Sequence, residues 1–134
     1  MMIFVDSNIP MYLVGAPHPH KHEAERLLEA AISAGERLVT DAEVFQEILH
    51  RYSAIHRLDA VSPTFETLLN IVDEVFSISL ADIQRAREIL LAGAERISAR
   101  DALHVAIMER ERVVQIMTFD TGFDHIAQVE RLRT

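Results

Sequence analysis

Four carboxylates fall where strands and helices would begin or end. Asp6 follows the apolar run Ile3-Phe4-Val5, and Asp120 follows residues 113–118, a short apolar run rich in β-branched residues. Each acid would therefore stand at the carboxyl end of a buried strand, where open parallel sheets form their sites. Asp101 opens a helix made apolar nearly all round by Ala102, Leu103, Val105, Ala106, Ile107 and Met108. Glu47 lies at the edge of another helix's apolar stripe, one turn beyond Glu43. Four such acids in one pocket would repel, since their reference pKa values are near ~4 and all are ionised at pH 7. A protein keeps such a cluster where cations occupy it. Hard divalent ions take oxygen ligands, and Mg²⁺ uses one or two carboxylates plus waters and substrate phosphates. Two ions roughly 4 Å apart can clamp the attacking and leaving oxygens of a phosphodiester. The chemistry suggested is phosphodiester hydrolysis by metal-activated water. It needs no protein nucleophile, and no Ser/His/Asp or Cys/His set is evident.

Each acid also has a plainer reading. Asp6-Ser7-Asn8 would make an Asx-type turn after a strand. Ser98-Ala99-Arg100-Asp101 matches a capping box, and one residue can serve as both cap and ligand. Thr40-Asp41-Ala42-Glu43 matches another, with Thr40 as N-cap and Glu43 at N3, which gives Glu43 a structural task and makes Glu47 the better functional candidate. Glu47 could instead pair with Arg51 at i+4 on a solvated helix edge. His18, His20 and His22 are spaced like a metal cluster, but they fall in a Pro-rich stretch with no carboxylate fixed beside them, and a solvated loop is expected.

The elements that would position these groups alternate along the chain. Ala24, Leu27, Leu28, Ala31 and Ile32 recur at helical spacing, and Gly35 ends that helix. Arg37-Leu38-Val39 is a short strand, followed by a helix whose buried face is Phe45, Ile48, Leu49 and Tyr52. Ser62-Pro63 predicts an N-cap with Pro at N1, and Phe65, Leu68, Leu69 and Val72 face inward. Val75-Phe76-Ser77-Ile78 alternates like a strand, Ser79-Leu80-Ala81-Asp82 is a capping box, and the next helix ends at Gly93. Residues 129–132 predict a last strand. The alternation implies an α/β fold with a mostly parallel sheet and helices on both faces, and residues 1–134 are expected to form one domain.

Composition limits the function classes. Without cysteine there are no disulfides or thiolate metal sites. No apolar run approaches the ~18 residues of a membrane span, and the N-terminus meets an acid at Asp6 with no basic region before it, so no signal peptide and a cytoplasmic location are expected. The net charge of −8, with 12 Arg and the single Lys21, argues against a broad electrostatic grip on nucleic acid, though not against nucleic acid reached through metal ions.

Ile3-Phe4-Val5-Asp6-Ser7-Asn8, Gln46-Glu47-Ile48, Ala99-Arg100-Asp101-Ala102-Leu103-His104 and Thr118-Phe119-Asp120-Thr121-Gly122-Phe123-Asp124 together resemble the PIN-domain ribonucleases, above all the VapC toxins of VapBC toxin–antitoxin modules. The resemblance spans the chain in the right order. It implies a three-layer α/β/α fold and a Mg²⁺- or Mn²⁺-dependent endoribonuclease with Asp6, Glu47, Asp101 and Asp120 as its acidic quartet. Asp124 resembles an auxiliary acid, Ser7 or Thr118 would orient a carboxylate or water, Asn8 matches the family's polar third position, and Arg100 resembles an Arg placed to approach phosphate. Glu43 leaves open which acid of its helix is the ligand. A homodimer, an RNA substrate, a cognate VapB-like antitoxin and no membrane partner are also implied. Two other readings compete. One is a phosphoryl-transfer domain of haloacid-dehalogenase or receiver type, against which stand Asn8, where the former wants a second acid, and the lack of a well-placed Lys. The other is a catalytically silent domain of the same fold, against which stand four intact acids.

Overall fold

The computed structural model describes residues 1–93 and 97–133. Five strands form one sheet in the order β3-β2-β1-β4-β5: β1 Met2–Val5, β2 Arg37–Asp41, β3 Glu74–Phe76, β4 Gln115–Met117 and β5 Glu130–Arg131. Every pairing is parallel, with Phe4 opposite Val39 on one side and Ile116 on the other. Ile3, Phe4 and Val5 are at most 3% exposed, as befits a central strand covered on both faces. The edges are short and charged, with Glu74 on β3 taking Arg37 across the ladder at 2.8 Å and Glu130 on β5, which discourages further strand pairing.

Among the described residues six helices, α1 Asn8–Val14, α2 Pro19–Ser33, α3 Ala42–Ala54, α4 Val61–Ile71, α5 Leu80–Ala92 and α6 Ala99–Glu111, complete a three-layer α/β/α arrangement. Among the described residues no helix is long and apolar enough to cross a membrane. From β1 the chain steps outward to β2 and β3, then returns to place β4 on β1's other side. That reversal opens a crevice between the carboxyl ends of β1 and β4. In α6 every residue of 102–108 is buried.

Several helix starts differ from the expected caps. Asp41, not Thr40, caps α3, its carboxylate accepting from Val44 N–H at 3.0 Å. Thr40 is still in β2, where its hydroxyl donates to Val5 C=O at 2.8 Å, so sheet pairing moves the cap one residue on and removes Glu43 from a capping box. The buried face of α3 is accordingly Val44, Ile48 and Tyr52, with Leu49 left 46% exposed. Helix α4 begins at Val61 after a 3-10 turn, so Ser62 and Pro63 lie within its first turn, where a missing N–H is harmless. Helix α2 begins at Pro19 rather than near Ala24. His18 caps it, ring Nδ1 accepting from His20 N–H at 3.0 Å, so His20 and His22 are helical. The capping box of α5 forms as expected, and Gly35 and Gly93 end α2 and α5 at φ of +71° and +55°, a left-handed conformation glycine adopts without strain.

Candidate active site

The carboxyl ends of β1 and β4 are laced together by short polar side chains. Asp6 continues the ladder one step, its N–H reaching Met117 C=O at 3.1 Å. Its carboxylate accepts from Ser7 N–H at 2.8 Å and from the Thr118 hydroxyl at 2.7 Å. The Thr118 oxygen in turn accepts from the Asn8 amide and from Asp120 N–H, both at 3.0 Å, while Asn8 Oδ1 accepts from Phe119 N–H at 3.2 Å. Asn8 and Thr118 thus fix the turn that carries Asp120, and Thr118 also fixes the rotamer of Asp6. Asp120 caps a 3-10 turn, Thr121–His125, through Gly122 N–H at 2.8 Å. A Cβ at Gly122 would come within 3.0 Å of that same carboxylate oxygen, so glycine lets the turn close.

Glu47 arrives from α3. It accepts from the Ser7 hydroxyl at 2.9 Å and meets His104 Nε2 at 2.6 Å, and His104 Nδ1 meets Asp41 at 2.7 Å. Both ring nitrogens face carboxylate oxygens, so both carry hydrogens and the ring is an imidazolium, clamped between Asp41, the cap of α3, and Glu47 further along the same helix. Burial alone would push its pKa down, but the charge and hydrogen bond of Asp41 and the bond to Glu47 hold it well above the usual value. The same clamp acts on Glu47: burial pushes the carboxyl up, and the His104 bond and charge with the Ser7 bond bring it below the ordinary value. Glu47 makes this buried pairing in place of the alternative one with Arg51.

Asp101 differs. It occupies N3 of α6, where its N–H donates to the Ser98 hydroxyl at 3.1 Å. Burial, then the charges of Asp6 and Asp120, push its carboxyl up to about 7. Asp6 is likewise raised, first by burial, with Glu47 adding to it. Together Asp6, Glu47, Asp101 and Asp120 line one cleft of about 650 Å³, with Ser7 and Asn8 beside them. Glu43, Arg100 and Asp124 are not among the described residues of that wall. Glu43 sits 3.7 Å from Arg100, its carboxyl raised by burial and by Glu47. Asp124 is held by Arg131 at 3.0 Å and Arg133 at 3.3 Å.

The donor set suits a hard divalent cation. Asp6, Glu47 and His104 each offer an atom within 4.8 Å of the others, but the His104 nitrogens are spent on Asp41 and Glu47, leaving carboxylate oxygens as donors. All-oxygen sets of this kind select Mg²⁺ or Mn²⁺ over softer ions. His104 and Asp41 were not singled out by sequence reasoning. The available signal was one polar residue inside the wholly apolar face of α6.

The fold and cleft define a class: a parallel α/β domain with carboxylates gathered at its chain-reversal point. Residues 3–129 match the PIN domain, and the chain belongs to the PIN-domain family and, within it, to the VapC ribonucleases of VapBC modules. It is 56% identical over 131 residues to ribonuclease VapC13 of Mycobacterium tuberculosis, covering 98% of this chain and 99% of that one. Ribonuclease VapC23 of the same species is 39% identical over 119 residues, covering 89% and 93%. Among solved structures, Mycobacterium tuberculosis VapC20, described as a sarcin-ricin loop cleaving toxin, superposes with a TM-score of 0.77 at 22% identity, covering 93% of this chain and 95% of that chain. VapBC2 of Rickettsia felis, bound to a DNA fragment from their promoter, gives 0.74 at 16% identity, covering 98% of each.

Proposed function

We propose that this chain is a Mg²⁺- or Mn²⁺-dependent endoribonuclease, the toxin of a type II toxin–antitoxin pair. The observation that carries it is the convergence of Asp6, Glu47, Asp101 and Asp120 on one cleft, with Asp101 pushed up to about 7 by burial and its acidic neighbours. Such a site is electrostatically incomplete without a cation. Asp6, Asp101 and Asp120, with Glu47, would hold the ion, which would activate water for attack and offset charge on the phosphate. The residues around it do the positioning. Thr118 and the Ser7 N–H fix Asp6, His104 and the Ser7 hydroxyl aim Glu47, and Asn8 holds the Asp120 turn.

A phosphoryl-transfer reading finds no support in Lys21, whose ammonium binds Gly15 C=O at 3.1 Å and is not among the described residues lining the cleft. The relatives named as ribonucleases and as toxin–antitoxin complexes support an RNA substrate and a cognate VapB-like antitoxin, and a homodimer in a cytoplasmic setting is proposed on the family resemblance alone. The test is incubation of the purified chain with RNA in Mg²⁺, in Mn²⁺ and in excess chelator. Internal cleavage that vanishes in chelator is expected; cleavage that persists there overturns the metal mechanism.

A further inference from the structure

The cleft that gathers the acids is also walled, beside the buried Tyr52, by a cluster of four rings, Tyr12, His18, His20 and Phe119. Phe119 and His20 stack at 4.2 Å with planes 13° apart. Tyr12 meets Phe119 edge-on at 5.4 Å and His20 edge-on at 5.1 Å, and His18 lies 4.9 Å from Tyr12. None of the four rings is buried. The cluster is therefore not core, and rings left half-open in a polar cleft are the surface that a planar, partly apolar group covers best. It also adjoins the chemistry directly. Phe119 stands between Thr118, which holds Asp6, and Asp120, and Tyr12 is one helical turn past Asn8 on α1.

We infer that these rings form a stacking subsite for an unpaired nucleobase adjoining the phosphate held at the carboxylates; the inference rests on the ribonuclease reading above. Charge favours this occupant. The chain carries a net charge of −8, and among the described residues of the cleft wall Arg51 is the one Arg or Lys. Phosphate neutralisation by basic side chains can then contribute little beyond what the proposed ion would supply. Base–ring stacking needs no cation and tolerates any base, because every base has a π-face.

The probe is a short labelled single-stranded RNA of mixed sequence and a set in which each nucleotide in turn is abasic. Wild-type protein should lose roughly 5- to 150-fold in kcat/KM, chiefly through KM, at one position beside the cut. Tyr12→Leu and Phe119→Leu should show the same loss on intact RNA and no further penalty from the abasic site, while Phe119→Tyr restores it. Binding of the same RNAs, followed by anisotropy with the Asp101→Asn variant in Mg²⁺, reads the subsite without cleavage. RNA cut with no abasic penalty, or with a penalty unchanged in Phe119→Leu, overturns the subsite and leaves the nuclease standing. No cleavage, but binding that falls at one abasic position and only with the rings intact, keeps the subsite and sinks the nuclease. Binding indifferent to every base, with no cleavage, sinks both. Leu variants that keep the base penalty but escape a co-expressed inhibitory protein would assign the rings to that protein and overturn the inference.

Discussion

Helices α5 and α6 both open with Ser-x-x-Asp, and the two acids end in opposite electrostatic states. At α5, Asp82 is 4% exposed and fully engaged. Its carboxylate takes Ser79 N–H at 2.9 Å and the Ser79 hydroxyl at 3.2 Å, and Arg110 reaches in from α6. Burial pushes this carboxyl up, but the Ser79 bonds and the Arg110 charge outweigh it and hold it below the ordinary value. At α6, the Ser98 hydroxyl accepts from Asp101 N–H, yet among the described residues no return bond runs from Ser98 N–H to the Asp101 carboxylate. The Asp101 carboxylate faces the cleft, where burial, then the charges of Asp6 and Asp120, push it up to about 7. One local pattern therefore yields a structural acid where a guanidinium is at hand and a site acid where other carboxylates are. The motif sets the backbone; the tertiary neighbours decide what the carboxylate is for.

The largest expected effect separates the two by activity. Asp101→Asn should lower RNA cleavage on the order of 10³-fold, because it would remove a proposed ligand of the ion that offsets developing charge. Asp82→Asn should leave cleavage per folded molecule within about twofold, since nothing of it reaches the cleft. Comparable losses in both, measured as initial rates on the same RNA, would erase the distinction.

A second acid pair sharpens it. Asp41 and Glu47 are matched by the His104 imidazolium, at 0% side-chain exposure for both Asp41 and His104. His104→Ala should cost about 3 kcal/mol or more in chemical denaturation, because it strands a buried charge at Asp41. Cleavage should fall with it as Glu47 loses its aim. Asp82→Ala should cost less, about 1–2 kcal/mol for the lost cap, with Arg110 able to reach water. Denaturation midpoints rank the two; an Asp82 loss exceeding that of His104 would mean the cap, not the clamp, is the main electrostatic brace.

How much of this was open to a reader of the sequence follows from the range of each interaction. Helices and strands were legible because apolar spacing is local, and Ile3-Phe4-Val5 already has the look of a strand covered on both faces. Asp6 and Asp120 were legible because they follow such runs. The cap of α3 was not: Thr40 and Asp41 are both competent, and the choice is made by the bond from Thr40 to Val5, which lies 35 residues earlier. His104 was not legible as a clamp because its partners lie 63 and 57 residues away. Its position inside an apolar helix signalled a buried polar group, but not what would meet it. The ring cluster was obscured for a related reason. The histidines looked like loop residues until His18 proved to cap α2 and so to bring His20 against Phe119.

The smallest expected effect is also the most direct comparison of Asp101 with Asp82, and it concerns stability against pH in the absence of metal. Unfolded, Asp101 ionises near pH ~4; folded, it does so at about 7. Between those values the native state keeps a proton that the unfolded chain has lost, so stability falls as pH rises and levels off above about 7. Asp82, held below its ordinary value, works the other way: its contribution is present above the unfolded value and lost only as pH drops through the folded one. The raised His104 adds stability that is lost as pH climbs through its own folded value, but that contribution is common to wild type and Asp101→Asn and largely cancels in their difference. In chelator at pH 8, Asp101→Asn should therefore be more stable than wild type, on the order of 1 kcal/mol after solvent screening of a half-exposed group. Near pH 4 the gain should vanish, because wild-type Asp101 is then protonated too. Saturating Mg²⁺ should reverse the order at pH 8, since a ligand bound only by the folded wild type adds ~2.7 kcal/mol at 100 times its dissociation constant. Melting curves at the two pH values, each with and without Mg²⁺, give the answer. A variant less stable than wild type in chelator at pH 8, with an unaltered response to Mg²⁺, would place Asp101 beside Asp82 as a cap and nothing more.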